Sequence, residues 1–283
     1  MATRREIFRA LSAAAAELYG DGEARQIAEL ILESRGVSRN MLLVEPCEEL
    51  DFPDLDSVVA DIRRWRPVQY IIGTASFAEL DFEVSDAVLI PRPETEELVW
   101  WVTSELGEGS KILDVGTGSG CIAISLARAL RNSVVWAMDI SPEALAVARR
   151  NGAKYAPEVH FVEGDALADF SGLVAEKLDA VVSNPPYIPH SDSSLMRRNV
   201  TDYEPQGALF VPDDDPLLFY RRIAVCARKM LKDEGRLYFE IYESLAADME
   251  AMLGEEGYHD IVVREDFRGK PRMLCAKVSS IAR

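Results

Sequence analysis

From Lys111 onward, short apolar segments alternate with longer segments in which apolar residues recur at helical spacing. The short segments predict strands at 111–115, 134–138, 159–162, 178–182, 236–241, 260–265 and 272–278. The longer segments predict helices at 122–130, 142–151, 217–231 and 245–253. Alternation of this kind is typical of a doubly wound, mostly parallel sheet with helices packed on it. The sequence therefore predicts an α/β fold built on seven strands.

The region before these strands has two different patterns. Residues 1–66 have apolar residues at helical spacing, interrupted by glycines, and predict a small helical bundle, for which we add the hypothesis of a role in substrate docking. Residues 67–90 are β-like, with strand character at 70–72, 76–77, 80–84 and 88–90, and predict a hairpin that links two domains. Residues 91–283 then form the catalytic domain, which we expect to begin with a helix from Glu94 to Leu106.

Charge and hydropathy argue against several classes of protein. The chain has 31 Lys+Arg against 48 Asp+Glu, a formal net charge of −17. Such an acidic surface repels phosphate backbones, so we expect no direct binding of nucleic acid. Arg9 and Glu17 flank an alanine-rich run near the N-terminus, which argues against a signal peptide. No run of about 18 apolar residues is present, so we expect no membrane span.

Cysteines and histidines are few and widely spaced. The four cysteines form no C-x-x-C pair, and the three histidines show no ligand spacing. We therefore expect no metal site. Scattered thiols are typical of proteins in a reducing compartment, so we expect a cytoplasmic protein.

A glycine-rich segment lies between the first predicted strand of the sheet and the helix after it. It reads Asp114-Val115-Gly116-Thr117-Gly118-Ser119-Gly120, and Asp139 ends the next strand, 19 residues after Gly120. Glycines at this place permit a tight turn and a close approach by a ligand, and an acid after the second strand can accept both ribose hydroxyls. Together with Asp165-Ala166 after the third strand, these residues predict a site for S-adenosylmethionine, whose ammonium group favours acidic neighbours such as Asp114.

Two competing nucleotide sites do not fit this loop. A dinucleotide site needs G-x-G-x-x-G, but the third glycine would fall at Cys121. A phosphate-binding P-loop needs Gly-Lys-Ser/Thr, which is absent here.

The fourth predicted strand of the sheet ends in Asn184-Pro185-Pro186-Tyr187. The prolines remove two backbone donors and leave carbonyl acceptors, and Asn184 adds a side-chain carbonyl. These acceptors suit a planar NH2 group, which can donate one hydrogen to Asn184 and one to the Pro185 carbonyl while Tyr187 stacks on its plane. We expect methyl transfer to this nitrogen, driven mainly by positioning and polarisation.

With these motifs in place, the chain resembles the class I amino-methyltransferases, and among them the HemK/PrmC family of glutamine N5-methyltransferases of peptide chain release factors. The resemblance spans nearly the whole length. The segments that carry it are 66–73 (RPVQYIIG), 89–96 (LIPRPETE), 112–123, 184–189, 203–205 and 208–209.

This resemblance implies a Rossmann-like methyltransferase sheet and S-adenosylmethionine as the methyl donor. It implies a substrate glutamine in the Gly-Gly-Gln motif of a release factor. The cofactor would be bound by Asp114, Gly116, Thr117, Gly118, Ser119, Gly120, Asp139, Asp165, Ala166 and Asn184. The glutamine amide would be held by Asn184, Pro185, Pro186 and Tyr187, with Arg92–Glu96 shaping the pocket. We expect the protein to act as a monomer.

Two segments depart from the family's pattern. The family usually has Glu-Ile-Gly with a Gln three residues later, where this chain has residues 240–245, which begin Glu240-Ile241-Tyr242. The family usually has Gly-x-Asp-Gly-Leu where this chain has residues 212–217. We place both segments outside the chemistry.

Two other functions are compatible with the tetrapeptide or the fold. An adenine N6-methyltransferase could use the same residues, but the charge of −17 favours a protein substrate. A noncatalytic binding module would have no need of an intact Asn184 and Tyr187.

Overall fold

The computed structural model describes residues 2–278 and divides them into two compact units. The helical unit contains the described residues up to Thr74 together with Met196–Tyr203. The sheet unit contains Ala75–Leu195 and the described residues from Glu204 onward.

The helical unit has five helices in its N-terminal part. They are α1 (Arg4–Ala16), α2 (Asp21–Ser34), α3 (Arg39–Val44), α4 (Leu55–Arg63) and α5 (Val68–Ile72), with the strands β1 (Ala2–Thr3) and β2 (Glu49–Leu50) forming a small antiparallel pair. A capping box starts α1, because the Thr3 side chain accepts from the Glu6 backbone N–H and the Glu6 carboxylate accepts from the Thr3 backbone N–H. The core of the unit is formed by Ile7, Leu11, Ala28, Ile31 and Ile62.

The strand predicted at residues 70–72 is wrong, because Val68–Ile72 is helical. Pro67 precedes this helix, and Gly73 ends it in the left-handed conformation, at φ 79°, with its backbone N–H donating to the Gln69 carbonyl. Five residues are too few for apolar spacing to distinguish a helix from a strand, so the flanking proline and glycine were the better signals.

A hairpin follows, formed by β3 (Thr74–Phe77) and β4 (Leu80–Glu83). Its two turn residues, Ala78 and Glu79, both have positive φ, as in a tight two-residue hairpin turn. The strand predicted at 88–90 is absent: the Ile90 backbone N–H donates to the Glu204 carboxylate at 3.1 Å instead of to a neighbouring strand.

The sheet unit contains a seven-stranded sheet. Its strands are β5 (Lys111–Val115), β6 (Val134–Asp139), β7 (His160–Glu163), β8 (Leu178–Ser183), β11 (Leu231–Glu240), β12 (Tyr258–Glu265) and β13 (Pro271–Val278). Their order across the sheet is β12-β13-β11-β8-β5-β6-β7. The five strands from β11 to β7 are mutually parallel, while β13 runs antiparallel to β11 and β12 runs antiparallel to β13. The predicted mostly parallel, seven-stranded sheet is confirmed.

Helices pack on this sheet through two apolar clusters. The helices of the unit are α6 (Pro93–Glu105), α7 (Cys121–Ala129), α8 (Pro142–Tyr155), α10 (Leu218–Met230) and α11 (Ala246–Glu255), while the short helix α9 (Arg198–Thr201) belongs to the helical unit. One cluster contains residues of α6 and α7, and the other contains residues of α10 and α11. The two-residue strands β9 (Ile188–Pro189) and β10 (Phe210–Val211) form a separate parallel pair.

The strand order places two chain segments side by side. From β5 the chain proceeds through β6 to β7, and then returns to the other side of β5 as β8. Val115 of β5 pairs with Ser183 of β8, so Gly116 and Asn184 leave adjacent strands at the same level. Open α/β sheets bind ligands at such a switch point, beyond the carboxyl ends of the strands. Within residues 2–278, no helix is long and apolar enough to cross a membrane.

Candidate active site

A cavity of about 400 Å³ lies at the carboxyl ends of β5, β6 and β8. All of its lining residues belong to the sheet unit. Gly116 and Gly118 come from the loop after β5, Asp139 ends β6, and Asn184 follows β8. A volume of this size is suitable for a small-molecule ligand.

Three glycines of the β5–α7 loop have positive φ: 75° at Gly116, 55° at Gly118 and 84° at Gly120. Residues with a β-carbon rarely adopt this conformation, so glycine is required at each turn of the loop. At Gly120 space is also limiting, since a β-carbon would lie 2.9 Å from Ile124 Cδ1 and 3.3 Å from Ala148 Cβ.

Asp114 lies behind the loop and has no exposed surface. The Thr117 hydroxyl donates to Asp114 Oδ2 at 2.6 Å, which ties the loop to the end of β5. Burial raises the pKa of Asp114 to about 7, against the lowering effect of the Thr117 hydrogen bond. Neither Asp114 nor Thr117 lines the cavity.

Asp139 is fixed by two backbone donors. The Gly118 N–H donates to Asp139 Oδ2 at 2.8 Å, and the Ser141 N–H donates to Asp139 Oδ1 at 3.0 Å. These bonds hold the carboxylate against the glycine loop, with Asp139 on the cavity wall. Each oxygen keeps a further lone pair that can accept from a ligand.

Asp165 and Ala166 also line the cavity. The Leu167 backbone N–H donates to Asp165 Oδ1 at 2.8 Å, so the turn after β7 holds its own carboxylate in place. Beside them, Ile140 is 63% exposed, which is unusual for a large apolar side chain. Ile140 therefore offers an apolar surface at the cavity wall.

Asn184, Pro185 and Pro186 line the cavity, whereas Tyr187 does not. Asn184 Nδ2 donates to the Thr95 hydroxyl at 3.3 Å. The ring of Tyr187 instead lies against Tyr242, with ring centroids 5.9 Å apart and planes 19° apart.

The Tyr187 hydroxyl is turned toward Glu240 and donates to its Oε1 at 3.1 Å. The stacking of Tyr187 on a substrate amide stays a prediction.

The chain is similar to well-described relatives over most of its length. Residues 95–211 match the methyltransferase small domain family. A release factor glutamine methyltransferase from Bacteroides thetaiotaomicron is 43% identical over 235 residues, which are 83% of this chain and 83% of that protein. Another from Bacillus subtilis is 38% identical and covers 96% of this chain and 98% of that protein. The chain belongs to the release factor glutamine methyltransferase family. This membership confirms the resemblance seen in the sequence.

A crystal structure of a methyltransferase from Pyrococcus furiosus shares the fold of this family member. Its TM-score is 0.53 at 19% identity, and the match covers 72% of this chain and 91% of that one. At this identity the likeness establishes the methyltransferase fold alone.

Within this release factor glutamine methyltransferase fold, the sequence-predicted site residues fall into two groups. Eight of them line the cavity: Gly116, Gly118, Asp139, Asp165, Ala166, Asn184, Pro185 and Pro186. The other five lie behind or beside its wall: Asp114, Thr117, Ser119, Gly120 and Tyr187. Among residues 2–278, no group of three or more His, Cys, Asp or Glu side chains could hold a metal ion.

Sequence reasoning missed the role of Glu240, which we had placed outside the chemistry. Glu240 is 2% exposed and accepts hydrogen bonds from Tyr187 and from Thr95. Thr95 lies in a segment that carries the family resemblance, and Glu240 lies in a segment that departs from the family's pattern. Neither segment indicated that these two residues, 145 positions apart in the sequence, are in contact.

A second missed wall of the cavity is formed by Ala87, Val88 and Leu89. Glu204 holds the chain next to them, because its buried carboxylate accepts from the Ile90 backbone N–H and from Arg92 Nη2, the latter at 2.5 Å. Pro205, the next residue, lines the same cavity.

Proposed function

We propose that the protein transfers a methyl group from S-adenosylmethionine to the side-chain amide nitrogen (N5) of the glutamine in the Gly-Gly-Gln motif of a peptide chain release factor. Family membership supports the reaction and the class of substrate. The single observation that carries the proposal is the placement of the Asn184 amide on one wall of a cavity whose other walls include Gly116, Gly118 and Asp139.

The residues of the cavity fit S-adenosylmethionine. Asp139 is held with lone pairs free for the ribose hydroxyls, and Ile140 and Ala166 provide apolar surface for the adenine. Gly116 and Gly118 leave the backbone open to the methionine end of the molecule. When bound, S-adenosylmethionine would supply an electrophilic methyl group on its sulfonium.

Asn184 and Pro185 support the binding of a planar amide. The Asn184 side-chain carbonyl and the Pro185 backbone carbonyl are acceptors, and together they can hold both hydrogens of an NH2 group. Acceptors polarise the nitrogen and orient its lone pair, which lowers the barrier to methyl transfer. After transfer, the nitrogen gives up one proton, and we propose that this proton leaves to solvent.

The helical unit is our proposal for the region that docks the release factor. It exposes two neighbouring apolar side chains, Leu43 at 74% and Val44 at 78%. A groove that includes Leu43 is lined by Arg5, Arg25, Arg39 and Glu29 together with apolar residues. Arginine is enriched at protein interfaces, and neighbouring exposed apolar side chains mark interaction sites.

We also propose that the protein acts in the cytoplasm as a monomer. All four cysteines are free, which suits a reducing compartment.

Transfer of labelled methyl from S-adenosylmethionine tests this function. We expect a purified release factor to accept label, while its Gln→Ala variant accepts none. Asn184→Ala should abolish most turnover while calorimetric binding of the cofactor largely persists. Equal labelling of the Gln→Ala factor, or preferential labelling of DNA, would contradict the proposal.

A further inference from the structure

Asn184 is one end of a hydrogen-bonded chain that runs into the protein interior. Its Nδ2 lies 3.3 Å from the Thr95 hydroxyl oxygen, which lies 2.6 Å from Glu240 Oε2. Glu240 Oε1 accepts from the Tyr187 hydroxyl. Thr95 and Glu240 are each 2% exposed, so water does not compete for these bonds.

Three separate elements bring these side chains together. Asn184 follows β8, and Glu240 ends β11, which pairs with β8 at Phe239 and Ser183. Thr95 lies in the first turn of α6. The sheet register therefore fixes the distance between Asn184 and Glu240, and the start of α6 closes the gap between them.

The chemistry of the groups gives this chain one direction. An ionised carboxylate has only acceptors, so the Thr95 hydroxyl donates to Glu240 when Glu240 is ionised. A hydroxyl has one hydrogen, so toward Asn184 the same oxygen can only accept. The part of the Asn184 amide that faces Thr95 must then be its NH2 group, and its carbonyl oxygen must face the other way.

We propose that Thr95 and Glu240 are positioning residues that fix the orientation of the Asn184 amide, so that its Oδ1 faces the substrate nitrogen. The proposal rests on the proposed function above. A reversed Asn184 would present its own NH2 to the NH2 of the substrate, and two donors cannot bond. Thr95 and Glu240 thus select for a substrate group that donates hydrogen bonds.

The surroundings of Glu240 have opposing effects on the pKa of its carboxyl group. Burial raises the pKa of its carboxyl, while the hydrogen bonds from Thr95 and Tyr187 and the charge of Arg272 lower it. Raising the assay pH shifts Glu240 toward its ionised form, in which the direction of the chain is set.

Thr95→Val tests the proposal because it keeps the shape of the side chain and removes its hydroxyl. We expect kcat for methylation of the release factor to fall about 10- to 100-fold, as for a misplaced reacting group, with the dissociation constant of S-adenosylmethionine within about twofold. Thr95→Ser keeps the hydroxyl and should retain kcat within about threefold. Thr103→Val makes the same chemical change further along α6, at a hydroxyl that bonds only the Trp100 carbonyl, and should match the wild type.

Glu240→Gln provides a second variant that does not depend on Thr95→Val folding. The amide that replaces the carboxylate can donate a hydrogen bond to the Thr95 hydroxyl oxygen. The Thr95 hydroxyl can then donate its own hydrogen to Asn184, so the Asn184 amide can adopt the reversed orientation. We expect a loss of kcat similar to that of Thr95→Val, with cofactor affinity unchanged. A purely structural role would instead lower the melting temperature and weaken cofactor binding in parallel with kcat.

The outcomes separate this proposal from the proposed function. If the wild type labels no release factor, the proposed function fails. If the wild type labels the factor and both Thr95→Val and Glu240→Gln keep wild-type kcat, the positioning role alone is overturned. Loss of cofactor binding in step with kcat would overturn it as well.

Discussion

The Asn151 side-chain NH2 donates to the Ser119 backbone carbonyl at 2.9 Å. The same amide also donates to the Glu83 carbonyl at 3.0 Å and accepts from the Glu83 backbone N–H at 2.7 Å. A single side chain of α8, 1% exposed, therefore ties the glycine loop to the hairpin strand β4. The conformation of the loop depends on a residue that does not line the cavity.

Asn151→Ala should destabilise the protein by about 2–4 kcal/mol, because it leaves buried backbone groups of Ser119 and Glu83 without partners. It should also weaken the binding of S-adenosylmethionine, since the loop loses a fixed point. Urea unfolding and calorimetry measure the two effects. Asn40→Ala, at an exposed site in the helical unit, is the matched control and should change neither quantity. If Asn151→Ala binds the cofactor as tightly as the wild type, the loop holds its shape without the contact from Asn151.

Asp114 predicts a dependence of stability on pH. Burial raises its pKa in the folded protein to about 7, so the folded protein retains a proton that the unfolded chain releases near the ordinary aspartate value of 3.8. This group's stabilising effect is fully present below about pH 4 and is lost as the pH rises through 7. Asp114→Asn removes the titration and should raise the free energy of unfolding of the ligand-free protein at pH 8, while weakening binding of the cofactor.

The gain in free energy of unfolding from Asp114→Asn should shrink steadily as the pH falls from 7 to 4. Urea unfolding at several pH values measures it. A constant difference across this range would mean that Asp114 is ionised in the folded protein throughout.

Tyr242 stands where the family usually has glycine, and it stacks on Tyr187. Its hydroxyl also donates to Asp192 Oδ2 at 2.8 Å. We expect Tyr242→Gly to remove the ring that supports Tyr187 and to lower kcat several-fold, with a lower melting temperature. Tyr242→Phe keeps the stacked ring and should remain close to the wild type in kcat. Equal losses in both variants would assign the effect to the bond with Asp192 instead.

The ion pair of Arg92 and Glu204 predicts a larger effect on stability. The Glu204 side chain is 1% exposed, so Arg92→Met leaves a buried carboxylate without its cation. Removing one partner of a buried pair costs about 3–5 kcal/mol, and the part-exposure of Arg92 places the expected loss near the lower end. Adding Glu204→Gln to Arg92→Met should restore part of the loss, because no charge is then buried. Thermal unfolding of the two variants measures this, and a double variant that is no more stable than Arg92→Met would argue against the stabilising role of the ion pair.

Much of the sheet and of its ligand edge could be predicted from the sequence. The apolar runs at 111–115 and 178–182 gave the central strands within one residue of β5 and β8. The sequence therefore placed the glycines after one strand and Asn184-Pro185 after the other at the same edge of the sheet. The two segments lie side by side because β5 and β8 are neighbours, which the structure establishes.

Contacts between distant segments could not be predicted. Thr95 and Glu240 meet only because α6 and β11 pack beside β8, and no local pattern reports which helix covers which strand end. Tyr242 was visible as a departure from the family, but its contact with Tyr187 depends on the path of the chain after β11. The helix at Val68–Ile72 was missed because a segment of five residues carries too little periodicity.

Mass spectrometry of the release factor after incubation with the enzyme and S-adenosylmethionine tests the central claim most directly. We predict one added methyl group, located by fragmentation on the glutamine of the Gly-Gly-Gln motif, and much less of this product with Asn184→Ala in place of the wild-type enzyme. A release factor that stays unmodified, or that gains its methyl group at another residue, would contradict the account.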